Sequence, residues 1–224
     1  MKVEKVSISL RDGKTVSGTV AAPPGNGAET GIIFAHGAGN DMNQPMIVFL
    51  AEGMARAGYL TLRFNFHYME QGKRTPDRQD LLYDAWDAAF QFLGSHVHPR
   101  PKRIFAAGKS MGGRIAAQMA ARGQLAARRL IFLGYPLHPP GRKDALRDEP
   151  LYRIGIPMLF FAGTRDPLCD LPMLSGVLAR LSAPHRIEVI EGGDHSFKVP
   201  KAMGMSPEEI YNRILERALE WMNE

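Results

Sequence analysis

Ser110, Asp166 and His195 follow one another along the chain with the types and the order of a base-activated nucleophile. Ser110 sits in Gly108-Lys109-Ser110-Met111-Gly112, a G-x-S-x-G pattern with a β-prone run before it, residues 103–107, and a helical run after it. A turn tight enough to join the two forces the serine into a strained backbone conformation. Side chains at positions 108 and 112 would collide with neighbouring chain. Such a turn holds the hydroxyl above the end of the sheet and sets the Met111 N–H at a helix N-terminus, where a developing oxyanion is stabilised. Asp166 lies just past a run of buried-strand character at residues 157–163, and His195 just past an alternating run at 186–190. Both therefore fall at the C-terminal edge of a parallel sheet, the edge where open α/β sheets bind ligands. The chemistry implied is acyl transfer to water. Ser110 attacks a carbonyl carbon, His195 takes and returns the proton, and Asp166 fixes the imidazole tautomer. A second oxyanion donor is expected from the loop after His36-Gly37, at the Ala38 N–H.

Each of these residues has a rival reading. Ser110 has the alternative of a plain turn serine. Asp166 precedes Pro167 and has the alternative of capping a following helix. Asp170 and Asp194 are the competing acids, and Asp194, adjacent to the histidine, suits a loop-shaping role. Six other histidines compete with His195. His36 is expected to brace backbone in the oxyanion loop, and His96 and His98 fall at a helix end where solvated or dipole roles suffice. His67 and His138 lie in loops at the active-site edge, and with Tyr68 they are the candidate substrate contacts, within a loop spanning residues 67–74. Lys109 and Arg114 flank the elbow, with two open roles: meeting an acidic substrate group, or pairing within the fold.

The elements needed to position these groups alternate along the chain. Residues 5–10 and 15–21 read as strands joined at Asp12-Gly13, a favoured hairpin turn. Further strands are expected at 31–35, 59–64, 103–107, 130–134, 157–163 and 186–190. Helices are expected at 45–57, at 78–93, after Ser110, and at 207–222, where Ile210, Ile214, Leu215, Ala218 and Trp221 share a face. Residues 23–27 read as a loop. Alternating strands and helices give an α/β fold with a mostly parallel sheet, an N-terminal antiparallel hairpin and helices on both faces. One domain over residues 1–224 is the natural count for a chain of 224 residues that is 45% hydrophobic.

Composition narrows the function further. The net charge of +5 comes from 28 basic and 23 acidic residues scattered without a basic run, so nucleic acid is not an expected partner. No apolar run approaches the roughly 18 residues that would span a bilayer. The first ten residues alternate like a strand and lack a signal peptide's apolar core. With one cysteine, Cys169, expected to be a small packed side chain, the expectation is a cytoplasmic protein. Neither ligand spacing for a metal nor a complete phosphate loop is present, so no cofactor is expected.

The order Ser110, Asp166, His195 and the elbow resemble the α/β-hydrolase superfamily, near its small dienelactone-hydrolase-like enzymes. More narrowly, the chain resembles the branch containing a non-specific-lethal complex subunit, a testis-expressed protein and bacterial relatives. The residues carrying that likeness are His36-Gly37-Ala38-Gly39-Asn40, Arg63-Phe64-Asn65-Phe66, Gly108 through Arg114, Gly134-Tyr135-Pro136-Leu137, Gly163-Thr164-Arg165-Asp166 and Gly193-Asp194-His195-Ser196-Phe197. Dienelactone hydrolases use a cysteine nucleophile where this chain has Ser110, and lipases of the HGGG type have glycine where it has Ala38. Many hydrolases of the resembling fold insert a helical lid after the sixth strand. Here about twenty residues, 135–156, fill that place, enough for a loop or short helix and not for a lid domain. The resemblance implies a serine hydrolase acting on a small ester, thioester or related acyl substrate. The alternative is a binding or scaffold protein that keeps the fold.

Overall fold

The computed structural model describes residues 1–25, 28–95, 97 and 100–224. The roles expected for His96 and His98 lie outside the described residues. Eight strands form one sheet: β1 (Lys2–Ser9), β2 (Thr15–Ala22), β3 (Thr30–Ala35), β4 (Leu60–Phe64), β5 (Arg103–Lys109), β6 (Leu130–Leu133), β7 (Met158–Gly163) and β8 (His185–Ile190). Their spatial order is β1-β2-β4-β3-β5-β6-β7-β8. β1 pairs antiparallel with β2, and β2 antiparallel with β4, while every later pairing is parallel. The hairpin turns at Asp12-Gly13 as expected, with Gly13 at φ +80° and the Lys14 N–H donating to Asp12 Oδ1 at 3.0 Å.

The central strands are apolar on both faces because helices cover both. Along β3, Ile33 and Ala35 join one buried cluster with residues of α3 (Gln79–Ser95), α4 (Met111–Ala121) and α5 (Leu171–Leu178). Their alternates, Ile32 and Phe34, join a second with α1 (Pro45–Arg56) and α6 (Pro207–Met222). The same period of two sorts Leu130 and Phe132 from Ile131 and Leu133 on β6. Trp86 of α3, fully buried, donates its indole N–H to the Gly112 carbonyl at 3.1 Å, tying that helix to the start of α4. Truncating an anchor of this size costs about 3–5 kcal/mol. No described helix is long and apolar enough to cross a membrane.

Some elements differ from expectation. β5 runs two residues further, to Lys109, because it keeps pairing with β6 up to Lys109 opposite Leu133. A single helical turn, α2 (His67–Glu70), stands where a loop was expected, its Tyr68 N–H held by Asp77 Oδ2 at 2.8 Å. α5 is capped by Asp170, whose Oδ1 accepts from the Met173 N–H at 3.1 Å, so Asp166 is not that helix's cap. Residues 135–156 contain only one short 3-10 helix, Glu149–Arg153, and no lid.

Candidate active site

The elbow places Ser110 between β5 and α4 at φ 49° and ψ −111°, a backbone conformation that costs a non-glycine residue about 1–3 kcal/mol. Neighbouring backbone enforces it. A Cβ on Gly108 would lie 2.2 Å from the Gly113 nitrogen, and one on Gly112 would lie 2.6 Å from the Ala35 carbonyl oxygen. Only glycine lets α4 approach the ends of β3 and β5 this closely.

Three strand ends converge on the serine. Ser110 Oγ lies 2.8 Å from His195 Nε2, and His195 Nδ1 lies 2.8 Å from Asp166 Oδ2. With Nδ1–H donating to the carboxylate, Nε2 is left to accept the serine proton. The Asp166 side chain is fully buried while that of His195 is 21% exposed. Asp166 Oδ1 accepts the Leu168 N–H at 2.8 Å, which fixes the carboxylate's rotation. Asp194 shapes the histidine loop instead, its Oδ1 accepting from the Ser196 and Lys198 N–H groups at 2.7 and 3.0 Å. Asp170 is occupied by the cap and by Lys143. Neither rival acid reaches His195.

Ser110, Met111 and Ala38 line one cleft of about 380 Å³, within the size range of small-molecule sites. Met111 opens α4, so its N–H belongs to the first turn, whose donors have no intrahelical acceptor. The 36–40 loop is held against the elbow: a Cβ on Gly37 would stand 3.4 Å from the Ser110 Cβ. His36 is buried and braces this loop, Nδ1–H donating to the Gly37 carbonyl at 2.8 Å and Nε2 accepting the Phe66 N–H at 3.0 Å. Burial holds its pKa below the usual histidine value, which keeps the ring neutral as this bonding requires.

The expected substrate contacts are corrected by the structure. None of His67, Tyr68 and His138 lines the cleft. Tyr68 is fully buried, stacked on Phe66 with ring centroids 6.3 Å apart, and burial pushes its pKa up to about 12. His67 is buried with Nε2 2.9 Å from the Gln71 amide nitrogen. His138 is buried as a brace, Nδ1–H donating to the Pro139 carbonyl at 3.0 Å and Nε2 accepting the Asp170 N–H at 3.3 Å. Their place at the sheet edge is as expected, but their side chains turn inward to hold loops. The polar groups that do line the cleft are Asp77, Gln79, Arg114 and Arg147. Of these only Arg114 had a sequence signal, its position one turn after the nucleophile.

Cys169 is buried, and burial pushes its thiol up to about 12. Among the described residues no group of three His, Cys, Asp or Glu side chains is placed to hold a metal ion.

A family model described as "Alpha/beta hydrolase domain" matches residues 28–223. A "Probable 2-oxo-3-(5-oxofuran-2-ylidene)propanoate lactonase" from a Bradyrhizobium species is 28% identical over 166 residues, which are 66% of this chain and 66% of that protein's length. The solved structure of dienelactone hydrolase from Anabaena variabilis is similar with a TM-score of 0.75 at 23% identity, covering 98% of this chain and 96% of that one. An alpha-beta serine hydrolase homologue from Coxiella burnetii is similar with a TM-score of 0.75 at 20% identity, covering 97% of this chain and 98% of that one. Likeness at such identities establishes the fold and leaves the reaction to be argued from the site. On the family match over residues 28–223 and the sheet order on which the elbow is built, this chain belongs to the alpha/beta hydrolase domain family.

Proposed function

We propose that the protein is a serine hydrolase that cleaves a small ester, thioester or lactone through an acyl-enzyme intermediate. The observation that carries this is the unbroken run of contacts from Ser110 Oγ through the His195 ring to Asp166, 2.8 Å at each step, opening into a cleft. Ser110 Oγ forms a bond to the acyl carbon as its proton passes to His195 Nε2. The bond from that carbon to the leaving oxygen or sulfur then breaks, and the leaving group takes the proton from Nε2. Water repeats the sequence, giving its proton to His195 and releasing the acid. Buried Asp166 stabilises the imidazolium formed at each step. The oxyanion is held by the Met111 and Ala38 N–H groups, a role supported by their shared place beside Ser110.

The lactonase name of the Bradyrhizobium relative is consistent with acyl chemistry on a small compound. Within the family, the motifs at residues 36–40, 63–66 and 108–114 place the chain near the branch with the non-specific-lethal complex subunit and the testis-expressed protein. The reading takes the enzyme as cytoplasmic, in keeping with its single buried free thiol.

Ser110→Ala and His195→Ala are each expected to lower kcat on 4-nitrophenyl butyrate by about 10⁴- to 10⁶-fold, and the double variant by no more than either alone. Full turnover by both single variants, folded as judged by circular dichroism, contradicts the reading.

A further inference from the structure

Two of the cleft's walls present guanidinium groups that have no carboxylate partner. Arg114 lies on α4 four residues after Ser110, so both stand on one helix face, and the Arg114 N–H donates to the Ser110 carbonyl at 3.0 Å. Arg147 comes from the 135–156 segment, and its backbone is clamped twice. Its N–H donates to the Leu137 carbonyl at 2.8 Å, and its carbonyl accepts the buried Tyr135 hydroxyl at 2.7 Å. Among the described residues neither side chain lies within ion-pair distance of an acid. The nearby acids are engaged elsewhere. Asp148 Oδ2 accepts from Tyr152 and from Arg180, and Asp77, which lines the same cleft, accepts the Tyr68 N–H through Oδ2.

The two arginines also oppose one another. The Arg114 pKa lies below its ordinary value, first through burial and then through the positive charge of Arg147. Like charges held together in a half-buried cleft destabilise the empty site, and an anion set between them relieves that repulsion while gaining charge-assisted hydrogen bonds. A fold needing these arginines only for stability would give each an acid. Here they face the space beside the nucleophile.

We propose that Arg114 and Arg147 form a carboxylate-binding subsite, so that the substrate is an acyl compound carrying a free carboxylate in addition to its scissile ester, thioester or lactone bond. The planar guanidinium fork matches a carboxylate's two oxygens. The proposal rests on the hydrolase reading and adds the substrate's charge to it.

The test pairs substrates of similar size that differ in charge. Mono-4-nitrophenyl glutarate carries the carboxylate on the acyl side and 4-carboxyphenyl butyrate carries it on the leaving group; 4-nitrophenyl valerate and 4-methylphenyl butyrate are the respective neutral partners. Wild type is expected to favour the anionic member of at least one pair by about 10- to 100-fold in kcat/KM. Arg114→Gln and Arg147→Gln are each expected to reduce that ratio about tenfold, mainly through KM, and Arg147→Glu to abolish it. Neutral esters hydrolysed with no anionic preference in either pair, or a ratio unmoved by the arginine variants, overturns the subsite. Calorimetric titration with glutarate, which needs no turnover, separates this from failure of the hydrolase reading. Binding that both Gln variants weaken about tenfold or more supports the subsite even if no ester is cleaved, whereas no binding to folded wild type counts against it.

Discussion

Lys109 precedes the proposed nucleophile, yet its ammonium is buried, 5.8 Å from the centroid of the Phe197 ring, with no hydrogen-bond partner among the described residues. Burial pushes its pKa down to about 8 from an ordinary 10.5, against the opposing pull of Asp166 and Asp194. Between those two values the unfolded chain still holds a proton that the folded chain has lost. Stability therefore rises with pH across that window, by at most about 1.4 kcal/mol per pH unit for the one group. Below pH 8 the cost of the buried charge is present in full. Lys109→Met is expected to raise the melting temperature at pH 7 and to flatten the rise between pH 8 and 10, both read by thermal unfolding. Parallel pH profiles for the variant and wild type would show that this lysine does not carry the effect. The residue scale also marks where the sequence stops being informative. Ser110, Asp166 and His195 were legible because each ends a strand in a pattern with a steric or chemical reason. His67, Tyr68 and His138 were not, since position at an edge says nothing of which way a side chain faces. The pairing of Arg114 with Arg147 depends on what is missing around them in space, which no local pattern records.

The elbow and the final helix show two ways an element's ends are set. In the elbow, close backbone approach leaves no room at Gly108, and a clash with backbone cannot be relieved by turning a side chain. Gly108→Ala is therefore expected to abolish labelling of Ser110 and to lower the melting temperature by about 4 °C or more. α6 instead begins at a capping box, the Ser206 hydroxyl accepting the Glu209 N–H at 3.2 Å while Glu209 accepts the Ser206 N–H at 2.6 Å. Ser206→Ala is expected to cost about 1 kcal/mol, or about 2–4 °C, with Ser110 labelling kept. Equal effects of the two substitutions on labelling would contradict this division. The same contrast explains what was legible at this scale. The structure gives α6 the bounds that capping residues and apolar spacing imply, Pro207–Met222. The central strands were legible because burial on both faces makes them apolar throughout. The one-turn α2 was hidden, because a tertiary bond from Asp77 holds it rather than any periodicity of its own.

Across the whole molecule, the sheet order gathers the ends of β5, β7 and β8 at one edge, and the 135–156 segment packs beside that edge without covering it. Within that segment, Tyr135, Leu137, His138 and Leu151 are buried and hold it down. The cleft of about 380 Å³ is therefore suited to short acyl groups. Activity on 4-nitrophenyl butyrate is expected to exceed that on the palmitate ester by about tenfold or more, without a jump in rate above the micelle threshold. Higher activity on palmitate, or such a jump, would require an apolar cover that this fold does not show. The central claim, an activated serine with a working oxyanion site, is tested most directly by reaction with a fluorophosphonate probe read by intact mass. The expected result is one adduct on wild type and none on Ser110→Ala. No adduct on folded wild type, or equal labelling of both proteins, would contradict it.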